Sequence, residues 1–285
     1  MGWRRATGGS RRGVPAPASR FETVRSVAST VTTTADGDAR AELNHRDRAI
    51  RALSRAEYTA AGDDYTLAAY GGLSGLEGRR REAFDPDAHG WVGYPLAALF
   101  LAGVCYRVAG ADDRARNRAG QGILVASDQR DHVLDHPVER AACHEWVGDF
   151  RSVAGDADRA DAAYGRALDG YAAADSDAPA QWTTRPLLQP GTDVVRQLSR
   201  PDDLDWGDLH GSGGTDALAH RIRFKRSRLR SLVGARVDEG HLFAPRGSTE
   251  YGVDGFRCPE CGANDVNYVA ETVLCLRCNA SVERT

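Results

Sequence analysis

The chain has 285 residues, 41% of them hydrophobic and 27% charged, with a formal net charge of −3. That composition suits a soluble globular protein of one large or two smaller domains. It excludes a membrane-spanning chain, because no stretch reaches the roughly 18 uncharged apolar residues that a span needs.

The first 34 residues hold arginines 4, 5, 11, 12, 20 and 25 against the single acid Glu22, which leaves the remainder near −8. They lack the apolar run of a secretory or twin-arginine signal. Residues 1–37 are therefore expected to be a disordered tail. Downstream, the apolar run Trp91 to Tyr106 contains Pro95 and meets Arg107, which predicts a buried helix.

Two stretches of the body repeat at an offset of 45 residues, Phe100–Ala119 and Glu145–Tyr164. Gly103 matches Gly148, Val108-Ala109-Gly110 matches Val153-Ala154-Gly155, and Asp113-Arg114-Ala115 matches Asp158-Arg159-Ala160. Each copy predicts a helix, a glycine turn and a second helix, with Gly110 and Gly155 in the left-handed conformation. Gly103 and Gly148 fall inside the first helices, where a close approach to Ala115 and Ala160 would account for them. A weaker third copy is read at 48–80, with Tyr58 and Gly62-Asp63-Asp64 before Tyr65–Tyr70. Residues 38–175 thus form a domain of stacked antiparallel helical hairpins. Its expected partner groove is lined by Arg107, Glu145, Asp149 and Ser152.

Residues 176–216 are rich in Pro, Gly and Asp and are expected to be a partly disordered connector. The segment 217–240 follows, with a cationic run from His220 to Arg236 that contains no acid. Leu218, Ile222, Leu229 and Val233 could share one helix face. Arg221, Arg223, Lys225, Arg226, Arg228 and Arg230 could then contact phosphates. The competing reading docks the helix on the acidic body with its charges paired or solvated. His132, His136, Cys143 and His144 cluster in sequence, but Pro137 breaks the helix after His136 and argues against a metal site.

Residues 253–285 carry Cys258-Pro-Glu-Cys261 and Cys275-Leu-Arg-Cys278, with thirteen residues between the pairs. This spacing brings four thiolates within reach of one tetrahedral ion, and one structural Zn²⁺ is expected. Two disulfides are the alternative. Gly262 and Asn279 tolerate the left-handed conformation that closes each knuckle. Val266–Ala270 and Thr272–Cys275 predict two short strands with a turn near Glu271.

The tail resembles the zinc ribbon family. Gly148, Ala160, Tyr164 and Ala167, at 141–174, resemble the tetratricopeptide repeat family, as do Gly103, Tyr106 and Ala115 at 96–129. The resemblance implies a mainly α fold with a concave surface that holds protein partners. The arginine-over-lysine, aspartate-over-glutamate composition also resembles proteins of salt-adapted archaea. The expected function is a non-enzymatic cytoplasmic adaptor that binds a protein partner, with no membrane association and no small-molecule substrate evident. The alternative is a nucleic-acid-associated or transcription-related zinc-ribbon protein.

Overall fold

In the computed structural model, residues 44–74, 91–212 and 214–284 are described, and all belong to one compact unit, Glu42–Thr285. The expected tail at 1–37 lies outside them.

The body begins with α1 (His45–Ser54) and α2 (Tyr58–Leu73). Asn44 caps α1 by accepting the N–H of Asp47 at 3.3 Å. Next come α3 (Gly93–Val108) and α4 (Asp112–Asp128), which runs into one π-turn at Gln129–Val133. The predicted buried helix is α3, and it is apolar nearly all round because neighbours cover every side. Pro137 sits at the start of α5 (Pro137–Val153), where a missing N–H costs nothing. Asp156 then caps α6 (Ala157–Ala174).

The expected glycine turns are present in both hairpins. Gly110 and Gly155 have φ of 72° and 79°. Gly110 N–H reaches Arg107 O and Ala111 N–H reaches Tyr106 O, while Gly155 reaches Ser152 O and Asp156 reaches Arg151 O. Paired closures of this kind satisfy the last carbonyls of each first helix. Adjacent helices pack in series, which fits a helical-repeat arrangement.

The third copy is displaced from its expected register. Its turn lies at Arg55–Glu57, and Gly62 sits inside α2 rather than between helices. There Gly62 does what Gly148 does in α5. A Cβ on Gly62 would lie 2.6 Å from Tyr106, and one on Gly148 would lie 2.6 Å from Tyr164. In each case the tyrosine hydroxyl donates to the aspartate that follows the glycine, Asp63 or Asp149, at 2.7 Å. Thr66 and Ser152 each donate back to their glycine's carbonyl. The facing residue for Gly148 is therefore Tyr164, not Ala160.

The stretch read as a connector is folded. It carries α7 (Pro179–Trp182), α8 (Gln189–Ser199) and α9 (Trp206–His210). Leu187, Leu188, Val194, Val195 and Leu198 are buried in the main core, and α8 packs on α3. Proline and glycine counts misled here, because Pro179 and Pro190 each start a helix rather than end one.

The cationic run forms α10 (Ala217–Asp238), which buries Leu218, Ile222, Leu229 and Val233 against α3, α5, α6 and α8. The chain closes with β1 (Ser248–Glu250), β2 (Val266–Val269) and β3 (Thr272–Cys275), an antiparallel sheet in the order β1-β2-β3. Tyr268 pairs with Val273 and Val269 with Thr272, so Ala270 and Glu271 form the turn, at φ of 52° and 54°. Both central residues being left-handed is the type I′ pattern. Among the described residues, no helix is long and apolar enough to cross a membrane.

Candidate metal centre and buried charge cluster

Each cysteine pair sits on a tight knuckle. Gly262 N–H closes the first on Cys258 O and Asn279 N–H closes the second on Cys275 O, both at 3.0 Å. Gly262 and Asn279 have φ of 73° and 69°, as their residue types foretold. The knuckles face each other: Cys258 Sγ lies 3.4 Å from Cys278 Sγ, and Cys261 Sγ lies 3.5 Å from Cys275 Sγ. All four sulfurs lie within 4.8 Å of one another. Thiolates bound at about 2.3 Å around one tetrahedral ion stand about 3.8 Å apart, so the four residues fit a single metal ion. Burial would push the Cys258 thiol up, yet the N–H groups of Cys261 and Glu260 bring it down to about 7.

The sheet is latched to the helical body. Asn279 Oδ1 accepts from Ala244 N–H at 2.9 Å, and its Nδ2 donates to Leu53 O, at the end of α1, at 3.3 Å. Arg200, just past α8, donates to Ala244 O at 2.6 Å and to Leu276 O at 2.7 Å. Ile50, Ala244 and Leu274 pack together beneath these bonds.

The second cluster lies where α10 crosses α5. Glu145, Asp149 and Ser152, expected to line an open groove, are buried. Arg221 and Lys225, expected among the phosphate contacts, are buried against them. Arg221 Nε donates to Glu145 Oε1 at 2.6 Å, and Lys225 Nζ reaches Glu145 Oε1 at 2.5 Å and Asp149 Oδ2 at 2.6 Å. Two carboxylates and two cations cancel. Tyr171 and Tyr164 supply hydroxyl donors at 2.8 and 2.7 Å, and Leu188 O and Thr192 Oγ1 take further Arg221 protons. Burial raises the Glu145 carboxyl, but Arg221 and Lys225 overcome it and hold it at about 2. Asp149 is pushed up by burial and by the charge of Glu145.

His210 completes the cluster as a neutral ring. Its Nδ1 faces Trp206 O at 3.1 Å and its Nε2 faces Arg221 Nη1 at 3.1 Å. Burial and the neighbouring guanidinium pull its pKa down to about 4.

The chain thus fills its own groove, and the docked-helix reading of 220–236 matches the geometry. Arg107 is elsewhere; it donates to Val153 O at 3.0 Å and joins α3 to the end of α5. Arg223, Arg226, Arg228 and Arg230 stay exposed on the outer face of α10. Arg223 pairs with Asp216 at 3.2 Å and Arg226 with Asp161 at 3.7 Å. His144 and Cys143 form no metal cluster among the described residues. Sequence reasoning missed His210, Thr192, Tyr171 and Arg200, and gave Asn279 only its place in the knuckle and not its bonds to Ala244 and Leu53.

Compared with protein-family models, curated proteins and solved structures, the chain shows no significant match to any.

Proposed function

We propose that the chain is a non-enzymatic adaptor of tetratricopeptide-like hairpins that binds a protein partner, with one structural Zn²⁺ in a C-terminal ribbon. Four sulfur donors at tetrahedral spacing suit zinc, and a set that fills all four positions suits a structural rather than a catalytic ion. The two remaining cysteines, Cys105 and Cys143, are buried and unbridged, in keeping with a reducing compartment such as the cytoplasm.

The observation that carries the partner-binding reading is exposed apolar and aromatic surface on α2 and α4. Tyr70 on α2 is 40% exposed, Leu67 one turn earlier is 44% exposed, and Leu124 on α4 is 71% exposed. The Tyr70 side chain is held in place before any partner arrives. Arg118 Nη1 donates to Tyr70 Oη at 2.7 Å, and that hydroxyl donates to Gln121 Oε1 at 2.9 Å. Tyrosine and arginine dominate binding hot spots, and a fixed side chain loses less entropy on association.

A second reading rests on exposed Arg223, Arg226, Arg228 and Arg230, which suit a polyanion. Affinity purification of the chain from its own cells, with and without nuclease, separates the two. The adaptor reading expects a stoichiometric protein that survives nuclease and is lost with Leu124→Asp, but not with Arg226→Glu plus Arg230→Glu. Nucleic acid alone, lost with the arginine pair, would establish the second reading instead.

A further inference from the structure

A cavity of about 360 Å³ opens between α2, α3 and α8. Its walls are apolar and aromatic, with Tyr65, Trp91, Tyr94, Leu101 and Val194 among them. A smaller chamber of about 190 Å³ adjoins it, and the two share Arg46, Asp193, Gln197 and Pro245. The smaller one is polar. Arg46, Arg196, Arg200 and Arg246 face it against Asp193 and Asp203, four guanidinium groups to two carboxylates.

Two buried groups in these walls are left unsatisfied. Arg200 is 1% exposed, and its Nη atoms are held by two carbonyls, but its Nε has no partner. Its guanidinium stands over the Phe243 ring at 4.9 Å, and among the described residues it makes no ion pair, whereas Arg246 is paired with Asp203. A buried cation ordinarily has a carboxylate against it. In the apolar cavity, the buried hydroxyl of Tyr65 makes no hydrogen bond of ordinary geometry. The side chain of Gln197 is beside it, with its NH₂ spent on Phe243 O at 2.8 Å.

We propose that this double chamber binds a small amphiphilic anion, its ring or branched apolar body between Trp91, Tyr94 and Leu101 and its carboxylate or phosphate head beside Arg200 and Arg196. The apolar volume lies within the range of small-molecule sites, which combine apolar walls with a few convergent polar groups. Shape selects the body. Selection of the head follows from Arg196, whose exposed guanidinium can bind carboxylate or phosphate through paired N–H donors, and from the charge of Arg200 behind it; Arg46 and Arg246 are paired with Asp47 and Asp203.

The test holds the apolar body constant and changes only the head. Titration calorimetry would compare 1-naphthaleneacetate and 1-naphthyl phosphate with the neutral 1-naphthaleneacetamide and the cationic 1-naphthylmethylammonium, all on the full chain. One anion should bind per chain, about tenfold or more tighter than the amide or the ammonium. Ala98→Trp, which fills the apolar chamber, should abolish binding of every probe. Arg196→Glu changes an exposed side chain, so it tests the head site even if Ala98→Trp misfolds; it should weaken the anions about tenfold and leave the amide unchanged. Carboxylate bound well above phosphate, or the reverse, identifies the natural head. Equal affinity for anion, amide and cation would overturn the proposal, as would anion binding that neither substitution alters. Absence of saturable binding up to about 1 mM would do the same.

Discussion

Nζ of Lys225 lies 2.6 Å from Oδ2 of Asp149, although 76 residues separate them and Lys225 is the chain's single lysine. That contact, with the Arg221–Glu145 pair beside it, fastens α10 to α5. Removing one member leaves a charge buried without its partner. Lys225→Met is expected to destabilise the fold by about 3–5 kcal/mol, measured by urea unfolding. Arg226→Glu with Arg230→Glu, on the exposed face of the same helix, should change stability by about 0.5 kcal/mol or less per residue. Equal effects from both would show that α10 is not held by its inner cations.

Acid should loosen the same junction. The His210 ring is neutral in the folded chain, with a pKa of about 4, and His144 is likewise pulled down to about 4 by burial and by Arg130. The unfolded chain binds these protons near pH 6.5, so stability is full above that value and falls as pH drops toward 4. His210→Gln is expected to flatten the decline by about 1–3 kcal/mol between pH 6.5 and 4.5, read from denaturant midpoints. A second fall, toward pH 2, should follow as Glu145 takes up its proton. An unaltered pH profile in the variant would remove His210 from this account.

Glycines of one helical type should respond in opposite directions. A Cβ at Gly148 meets the Tyr164 ring at 2.6 Å, while at Gly120 and Gly165 it meets nothing within 4 Å. Gly148→Ala is expected to destabilise by about 1–3 kcal/mol through overpacking. Gly120→Ala and Gly165→Ala should stabilise by about 0.5–1 kcal/mol, since alanine is the better helix former. Thermal melts of the three variants would sort them directly.

One zinc ion per chain is expected by elemental analysis of the reduced protein. Cys275→Ser should abolish it and unfold the sheet. The helices should feel the loss too, because Leu276 O and Asn279 are tied to Arg200 and Leu53. Their melting temperature should drop by about 2–4 °C per kcal/mol of latch removed. A helical transition identical to that of the parent would mean that the ribbon is only tethered.

The β2–β3 turn offers a gain. Ala270 and Glu271 both occupy the left-handed region. Replacing Glu271 with Gly should stabilise the ribbon by about 1 kcal/mol, and adding Ala270→Asn should give a further gain. Hydrogen exchange of the β2 and β3 amides would report it.

The parts of this molecule that could be read in advance are those whose signal is local. The Cys258–Cys261 and Cys275–Cys278 spacings carry their geometry within four residues. Gly110 and Gly155 mark their turns because few other residues adopt that conformation readily. Long-range burial was not legible in the same way. Lys225 and Arg223 are the same kind of letter in a basic run, yet one is buried against two acids and the other is exposed, and only the docking of α10 separates them. Glu145 and Asp149 of α5 looked like groove residues for the same reason: nothing local says that the chain returns to cover them. Pro190 resembled a breaker, and its place at the first turn of α8 depends on that helix having α3 to pack upon.

The bond from Asn279 to Leu53 spans 226 residues of chain. During synthesis α1 leaves the ribosome long before the ribbon exists, and at about 5–20 residues per second the wait is roughly 10–45 s. For that interval Ile50 lacks its cover from Leu274, and the carbonyl of Leu53, already bonded to Ala56 N–H, lacks its second donor. A polypeptide released early, short of Leu274, would keep that face of Ile50 uncovered. Because α1 is latched to a module made 226 residues later, the packing of an early element waits on the synthesis of a distant one.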